Sequence, residues 1–290
     1  MMDLKPGIYP FIPIEQYVDD TVCEVPTLSS SMASTMLERS PAHAWHAHPR
    51  FNRKERDFSR AANFGTAVHS LVFGGESLVR IDADGYTTKA AREARDYALT
   101  HGQVPVLNEE FERAVAIAAH TKGLLKDLCT ETMDYENTII FNVGKTLCRS
   151  RPDAISDSRR LIVDLKITGT NSRDANRQFF SQGYDLQAAF LERAADSLDP
   201  AGVGKREIVY LFVEDEPPYA HCFLQVSEGT LSIARKKMNA AVNMWAKCLK
   251  DNQWPIIQPA NTFTQRPSYE ETAWLVREET DQMINVEMPL

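Results

Sequence analysis

The sequence predicts an α/β fold: a mixed central β-sheet flanked by helices, with a helical N-terminal part covering one side. Three observations carry this expectation. Helical periodicity dominates residues 28–130, the period changes near Tyr135, and the elements then run three strands, helices, two strands and a helix. With 290 residues, 43% of them hydrophobic and 25% charged, the chain can bury a substantial core.

Residues 1–27 are proline-rich (Pro6, Pro10, Pro13, Pro26) and read as an extended segment. From Ser29 to Ser40 a capped helix is expected, with one of Ser29 to Ser31 as N-cap and Met32, Met36 and Leu37 as its stripe. Pro41 restarts a helix at a favoured first-turn position, and Pro49 stops it. FSRAANFGTAVHSLVFGG spaces Phe64, Val68, Leu71 and Val72 helically and ends on Gly74-Gly75. Further helices are expected over 88–100 and 108–128. Then ENTIIFNV, TLCRSRPDAI and RRLIVDLKIT read as a three-stranded antiparallel meander, with turns at 142–145 and 156–159. Helices return at 172–182 and 184–197, strands at REIVYLFVE and AHCFLQV around Pro217-Pro218, and a long helix at 227–251. The expected division is a single domain over 28–257, with its helical part at 28–130 and its core at 131–257. An acidic tail follows at 258–290.

Charge and cysteine content narrow the function classes. A net charge of −8 excludes a uniformly basic nucleic-acid binder. The tail from Ser268 holds six acids against Arg277 alone, while PRFNRKERDFSR carries Arg50, Arg53, Lys54, Arg56 and Arg60. Such a stripe can track phosphates, because screening confines its field to about 10 Å. Five scattered cysteines without a CxxC pair predict neither a zinc site nor a disulfide framework, and they fit a reducing cytosol. No segment reads as a membrane span or a signal peptide.

Two acids and a lysine interrupt the strand pattern of RSRPDAISDSRRLIVDLKIT. Folded with 156–159 as its loop, this hairpin sets Asp153 opposite Ile162 and Arg151 opposite Asp164. Leu161, Val163, Leu165 and Ile167 then share an apolar face, and Asp153, Asp164 and Lys166 gather on the other. Converging carboxylates repel unless a cation sits between them or one takes up a proton. Hard oxygen ligands suit Mg²⁺ or Mn²⁺, and a lysine beside them suits phosphodiester hydrolysis. A surface hairpin with ordinary ion pairs is the alternative, and the Pro-Asp on the adjoining strand favours the site.

Pro152-Asp153 followed by Asp164-Leu165-Lys166 resembles the PD-(D/E)XK nuclease motif. Gly65-Thr66-Ala67-Val68-His69 resembles the GxxxH helix of its RecB-like branch, and Gly183-Tyr184-Asp185-Leu186-Gln187 the branch's Tyr/Gln helix. CRSRPDAI, LSSSMASTMLERSPAH and NQWP resemble the exonuclease VIII (RecE-type) group, so the likeness spans about residues 27–255. The resemblance implies a restriction-endonuclease-like core and catalytic roles for Asp153, Asp164, Lys166, Gln187 and Tyr184. It implies that Asp153, Asp164, the Leu165 carbonyl, His69 and Glu136 hold two Mg²⁺ ions, with Mn²⁺ able to substitute.

The same resemblance implies digestion of linear duplex DNA from 5′ ends, leaving 3′ tails for a RecT-like annealing protein. It further implies a ring-shaped homo-oligomer (trimer or tetramer) and a phage or prophage gene expressed in a bacterial cytoplasm. An endonuclease of the same fold and a catalytically silent DNA-binding protein are the alternatives. Arg151, Arg173, Arg177, Lys89 and Arg92 are the candidate DNA-backbone contacts. His43, His46 and His48 lie close together, but no cysteine or acid completes a zinc set with them.

Overall fold

In the computed structural model of the protein, residues 3–52, 59–169, 171–257 and 268–280 are described. Arg53, Lys54 and Arg56 of the basic stripe lie outside the described residues.

The capping residues set the helix starts. Ser29, Ser40, Ser59, Thr88 and Ser227 each accept a backbone N–H at the head of α2 (Ser30–Glu38), α3 (Pro41–Ala47), α4 (Arg60–Phe73), α5 (Lys89–Thr100) and α9 (Glu228–Asp251). Gly74 ends α4 at φ 84°, a conformation that glycine adopts freely. Also in the N-terminal part, α6 (Asn108–Leu128) is joined by an unexpected parallel pair, β2 (Leu78–Ile81) and β3 (Val104–Leu107). The first 27 residues, expected to be extended, contain β1 (Gly7–Tyr9) and α1 (Ile14–Val18).

The expected three-stranded meander is instead divided between two sheets. One is β1, β5 (Thr138–Val143) and β6 (Thr146–Ser150), all antiparallel. The other runs β10 (His221–Gln225), β9 (Glu207–Glu214), β8 (Leu161–Thr168), β7 (Ala154–Ser156) and β4 (Met133–Tyr135). Only β8 and β9 pair in parallel, so this sheet is mixed, as predicted. The division has a local cause. Tyr135 pairs with Ala154 in one sheet, and Ile139 with Ser150 in the other, in one continuous register. Between them Glu136 takes φ 53°, and Pro152 has no N–H to donate, so the ribbon bends there.

The β7–β8 hairpin is also shifted by two positions. Ile155 pairs with Ile162, and the loop is 157–160, with Arg159 at φ 60°. A two-residue shift preserves the faces, and it sets Asp153 abreast of Asp164 rather than Ile162.

Both faces of the five-stranded sheet are buried. Val163, Leu165, Leu211 and Val213 pack on Phe64, Val68 and Val72 of α4 and Ile117 of α6. Ile162, Ile208, Tyr210 and Phe212 pack on Phe179 of α7 (Ala175–Ser181) and on Ala188 and Leu191 of α8 (Tyr184–Leu198). The face expected to be polar is therefore apolar at its start and polar only toward the end of β8. A third cluster joins α2, α8 and α9 to β5 through Met36, Phe141, Phe190 and Trp245. Apart from residues 1–256 stand the described Ile257 and the exposed helix α10 (Ser268–Thr280). No helix among the described residues is long and apolar enough to cross a membrane.

Candidate active site

The bend and the shifted register together bring three acids side by side. Glu136 N–H donates to the Asp153 carbonyl (3.1 Å), and the next pair along β7 and β8 sets Asp153 beside Asp164. The Asp153 carboxylate is anchored by the Leu165 N–H (2.7 Å). From α4, His69 brings one ring nitrogen to the Leu165 carbonyl (3.1 Å). Its other nitrogen lies 3.6 Å from Asp153 and 3.8 Å from Glu136. The small residue at Gly65, one turn earlier, leaves nothing within 4 Å of where a Cβ would lie.

Asp164 belongs to the other half of the site. Its side chain is 1% exposed; one oxygen pairs with the Lys166 ammonium, and the other accepts from the Gln187 amide (2.7 Å). Lys166 lies over the Tyr184 ring, 4.5 Å from its centre. His69, Glu136, Asp153, Lys166 and Gln187 line a cleft of about 1600 Å³, which is also lined by Ser30, Arg39, His43 and His46.

The charges are strongly coupled. Burial, reinforced by the Asp164 carboxylate, pushes the Asp153 carboxyl up to about 7. Burial opposes a charge on His69, but Asp153 and Glu136 outweigh it and raise the imidazole to about 9. Burial likewise disfavours the Glu136 carboxylate, yet the nearby His69 imidazole and the hydrogen bond from Arg151 leave its pKa lowered. Lys166 is held above the usual lysine range against its burial, chiefly by Asp164 and then Asp153.

His69, Glu136 and Asp153 offer one nitrogen and two carboxylate oxygens within 4.8 Å of one another. With the adjacent Leu165 carbonyl, this donor set fits a hard divalent cation, which would also offset the burial and the repulsion that raise Asp153. Asp164 stands outside that group, tied to Lys166 and Gln187. Mg²⁺ is therefore expected to raise the melting temperature. At a hundred times the dissociation constant the gain is about 2.7 kcal/mol, or roughly 5–10 °C for a domain of this size. Asp153→Asn and His69→Ala should each abolish most of the shift in a thermal melt. A full shift in both variants would place the cation elsewhere.

The candidate DNA contacts divide. Arg151 lines the cleft, but it donates to Glu136 (2.7 Å) and the Ile12 carbonyl (2.7 Å), so it organises the site rather than offering a free guanidinium. Arg173, Arg177, Lys89 and Arg92 are exposed and lie outside the cleft lining. Lys89 pairs with Glu93, and Arg92 donates to the Thr87 carbonyl. The three histidines of α3 and its end do not converge. His43 bonds Ser40, His46 bonds Asn52, and His48 is buried against Asp20.

Sequence reasoning missed two groups. Tyr210 lies within an apolar run on β9, in register with Asp164. Tyr17, Asp20 and Arg149 tie the N-terminal segment to the site through contacts across more than 120 residues.

A mixed sheet carrying Asp153, Asp164 and Lys166 at the bend of β7 and the end of β8, with His69 from a flanking helix, defines a PD-(D/E)XK-type site of the nuclease class. Residues 29–261 match a family model, and the chain belongs to that family, the PDDEXK-like domain of unknown function DUF3799. No curated protein matches the chain. Among solved structures it is similar to a candidate exonuclease from Eubacterium rectale, with a TM-score of 0.59 at 12% identity. That match covers 94% of this chain and 98% of the other. A phage-related exonuclease from Haemophilus somnus 129PT matches with a TM-score of 0.34 at 14% identity, over 64% of this chain and 95% of that one. The first likeness bears on the fold alone, and the fold class expected from the sequence is the one observed.

Proposed function

We propose that the protein is a Mg²⁺-dependent exodeoxyribonuclease acting on linear duplex DNA. The observation that carries this reading is the convergence of His69, Glu136 and Asp153 beside the Asp164–Lys166 pair on one cleft. His69, Glu136, Asp153, Asp164 and the Leu165 carbonyl would hold the cation or cations, two by the resemblance. Mn²⁺ would be able to substitute. When bound, the cation supplies Lewis-acid polarisation of the scissile phosphate. Lys166 orients the attacking water and offsets charge that develops on the phosphoryl oxygens. Asp164 fixes the ammonium, and Gln187 and Tyr184 limit where both can move. Arg151 holds Glu136 in place.

Attack from the 5′ end, 3′ single-stranded products, a ring-shaped trimer or tetramer and a RecT-like annealing partner extend the proposal. They rest on the RecE-type likeness of CRSRPDAI, LSSSMASTMLERSPAH and NQWP, as do a phage or prophage origin and a bacterial cytoplasmic location. The test is digestion of duplex labelled at its 5′ or its 3′ ends, in linear and covalently closed forms, with and without Mg²⁺. Linear DNA should be consumed with early release of the 5′ label, and closed circles should survive. Cutting of circles at a similar rate would favour an endonuclease of the same fold.

A further inference from the structure

We infer that Tyr210, on β9, is a positioning residue for this site, acting through Gln187 and the first turn of α8; the inference rests on the nuclease reading above. Tyr210 is fully buried, and its backbone is the register partner of Asp164 on the adjoining parallel strand. Its ring is held by Phe179 (5.0 Å) and by stacking on Tyr184 (5.6 Å, 20° between planes). A phenol so placed has one hydroxyl proton and no solvent to share it with.

That proton has two acceptors, both on the first turn of α8. The nearer is the Tyr184 carbonyl at 3.0 Å, and the farther is Gln187 Oε1 at 3.4 Å. Gln187 Nε2 in turn donates to Asp164 Oδ2 at 2.7 Å. The polarity of the Gln187 amide follows. An ionised carboxylate only accepts, so the NH₂ end must face Asp164. The oxygen end must then face a donor, and the Tyr210 hydroxyl is the group that meets it. Tyr210 thus pins the helix turn from which Gln187 projects, while Asp164 sets the sense of the amide and the Tyr210 hydroxyl stands opposite its oxygen end. Asp164 then has one oxygen held by Gln187 and the other directed to Lys166, whose ammonium lies 4.5 Å from the Tyr184 ring and 5.7 Å from that of Tyr210.

Loss of the hydroxyl leaves the rings, the apolar packing and the cation–π contacts in place. It removes the hydroxyl that holds the Tyr184 carbonyl and faces Gln187 Oε1. Tyr210 lies two hydrogen bonds from Asp164. Changes one bond from a metal ligand commonly alter activity or metal affinity 10- to 100-fold, so the effect of Tyr210 belongs at the low end of that range. Tyr210→Phe should therefore lower kcat about tenfold and weaken Mn²⁺ binding several-fold by calorimetry, with KM for DNA unchanged. Because Tyr210 acts through Gln187, its effect should be non-additive. In a Gln187→Ala background the same substitution should change kcat less than twofold.

The measurements are wild type, Tyr210→Phe, Gln187→Ala and the double variant, each assayed below its own melting temperature. If wild type does not cleave DNA, the nuclease reading itself fails. If wild type cleaves, two results overturn the Tyr210 inference. One is unchanged kcat and Mn²⁺ affinity in Tyr210→Phe; the other is an equal loss in both backgrounds, as general loosening of the core would give.

Discussion

Replacing Lys166 with alanine is expected to reduce cleavage by 10²- to 10⁴-fold, the range of a group that handles a proton or offsets charge in the transition state. The same variant is also expected to lose stability, because the partner of Lys166 is buried. Asp164 is almost wholly buried and shares its charge between the Lys166 ammonium and the Gln187 amide. Removal of the ammonium strands a buried carboxylate, at about 3–5 kcal/mol. Without Mg²⁺, Lys166→Ala should melt roughly 6–20 °C below wild type.

Lys166→Arg separates the two roles. Guanidinium keeps the charge opposite Asp164, but its larger planar head cannot occupy the position of the compact ammonium, so the water that Lys166 orients is displaced. Its melting temperature should lie near wild type and its DNA binding should persist, while turnover drops by at least about 10²-fold. Wild-type turnover in Lys166→Arg would mean that charge alone suffices. Wild-type turnover in Lys166→Ala would remove Lys166 from the site.

The features legible in the sequence are those fixed by neighbours along the chain. Ser29, Ser40, Ser59, Thr88 and Ser227 cap helices by contacts three residues away, so the helix starts are readable from composition. The two-residue alternation of LIVDLKIT likewise assigns faces whatever the exact pairing. What the sequence conceals depends on distant partners. The loop after β7 admits more than one register, and Arg159 in a left-handed conformation selects the observed one. The division into two sheets follows from Glu136 and Pro152 bending opposite strands together, which neither segment signals alone.

The site shows the same boundary. Asp153, Asp164 and Lys166 are readable because charges in a strand need a reason, and His69 because it repeats at helical spacing from Gly65. Glu136 stands in no tight motif, yet it becomes the direct neighbour of Asp153 and His69. Tyr210 sits in IVYLFV, where a phenol is indistinguishable from core until the parallel pairing with β8 sets it beside Asp164. Arg151 misled in the opposite direction. Its charge suggests phosphate, while its hydrogen bonds commit it to Glu136 and Ile12.

Those bonds make the N-terminal segment part of the site's support, and the second large prediction concerns it. Asp20 is fully buried, accepts the Thr27 N–H (2.9 Å) and pairs with Arg149 (2.9 Å), which is 3% exposed. Arg149 and Arg151 both lie over the Tyr17 ring, 5.4 and 6.0 Å from its centre. Asp20→Ala leaves the Arg149 guanidinium buried without its nearest carboxylate, a loss of about 3–5 kcal/mol. The melting temperature should fall by roughly 6–20 °C. The effect should reach the site, since Ile12, Arg151 and Glu136 are joined by hydrogen bonds in series. A Mg²⁺ titration of Asp20→Ala below its melting temperature should show weaker binding, although Asp20 itself touches no candidate ligand. Wild-type Mg²⁺ affinity together with the lowered melting temperature would confine the segment to a purely stabilising part. An unchanged melting temperature would mean that the Asp20–Arg149 pair is not the clasp its burial indicates.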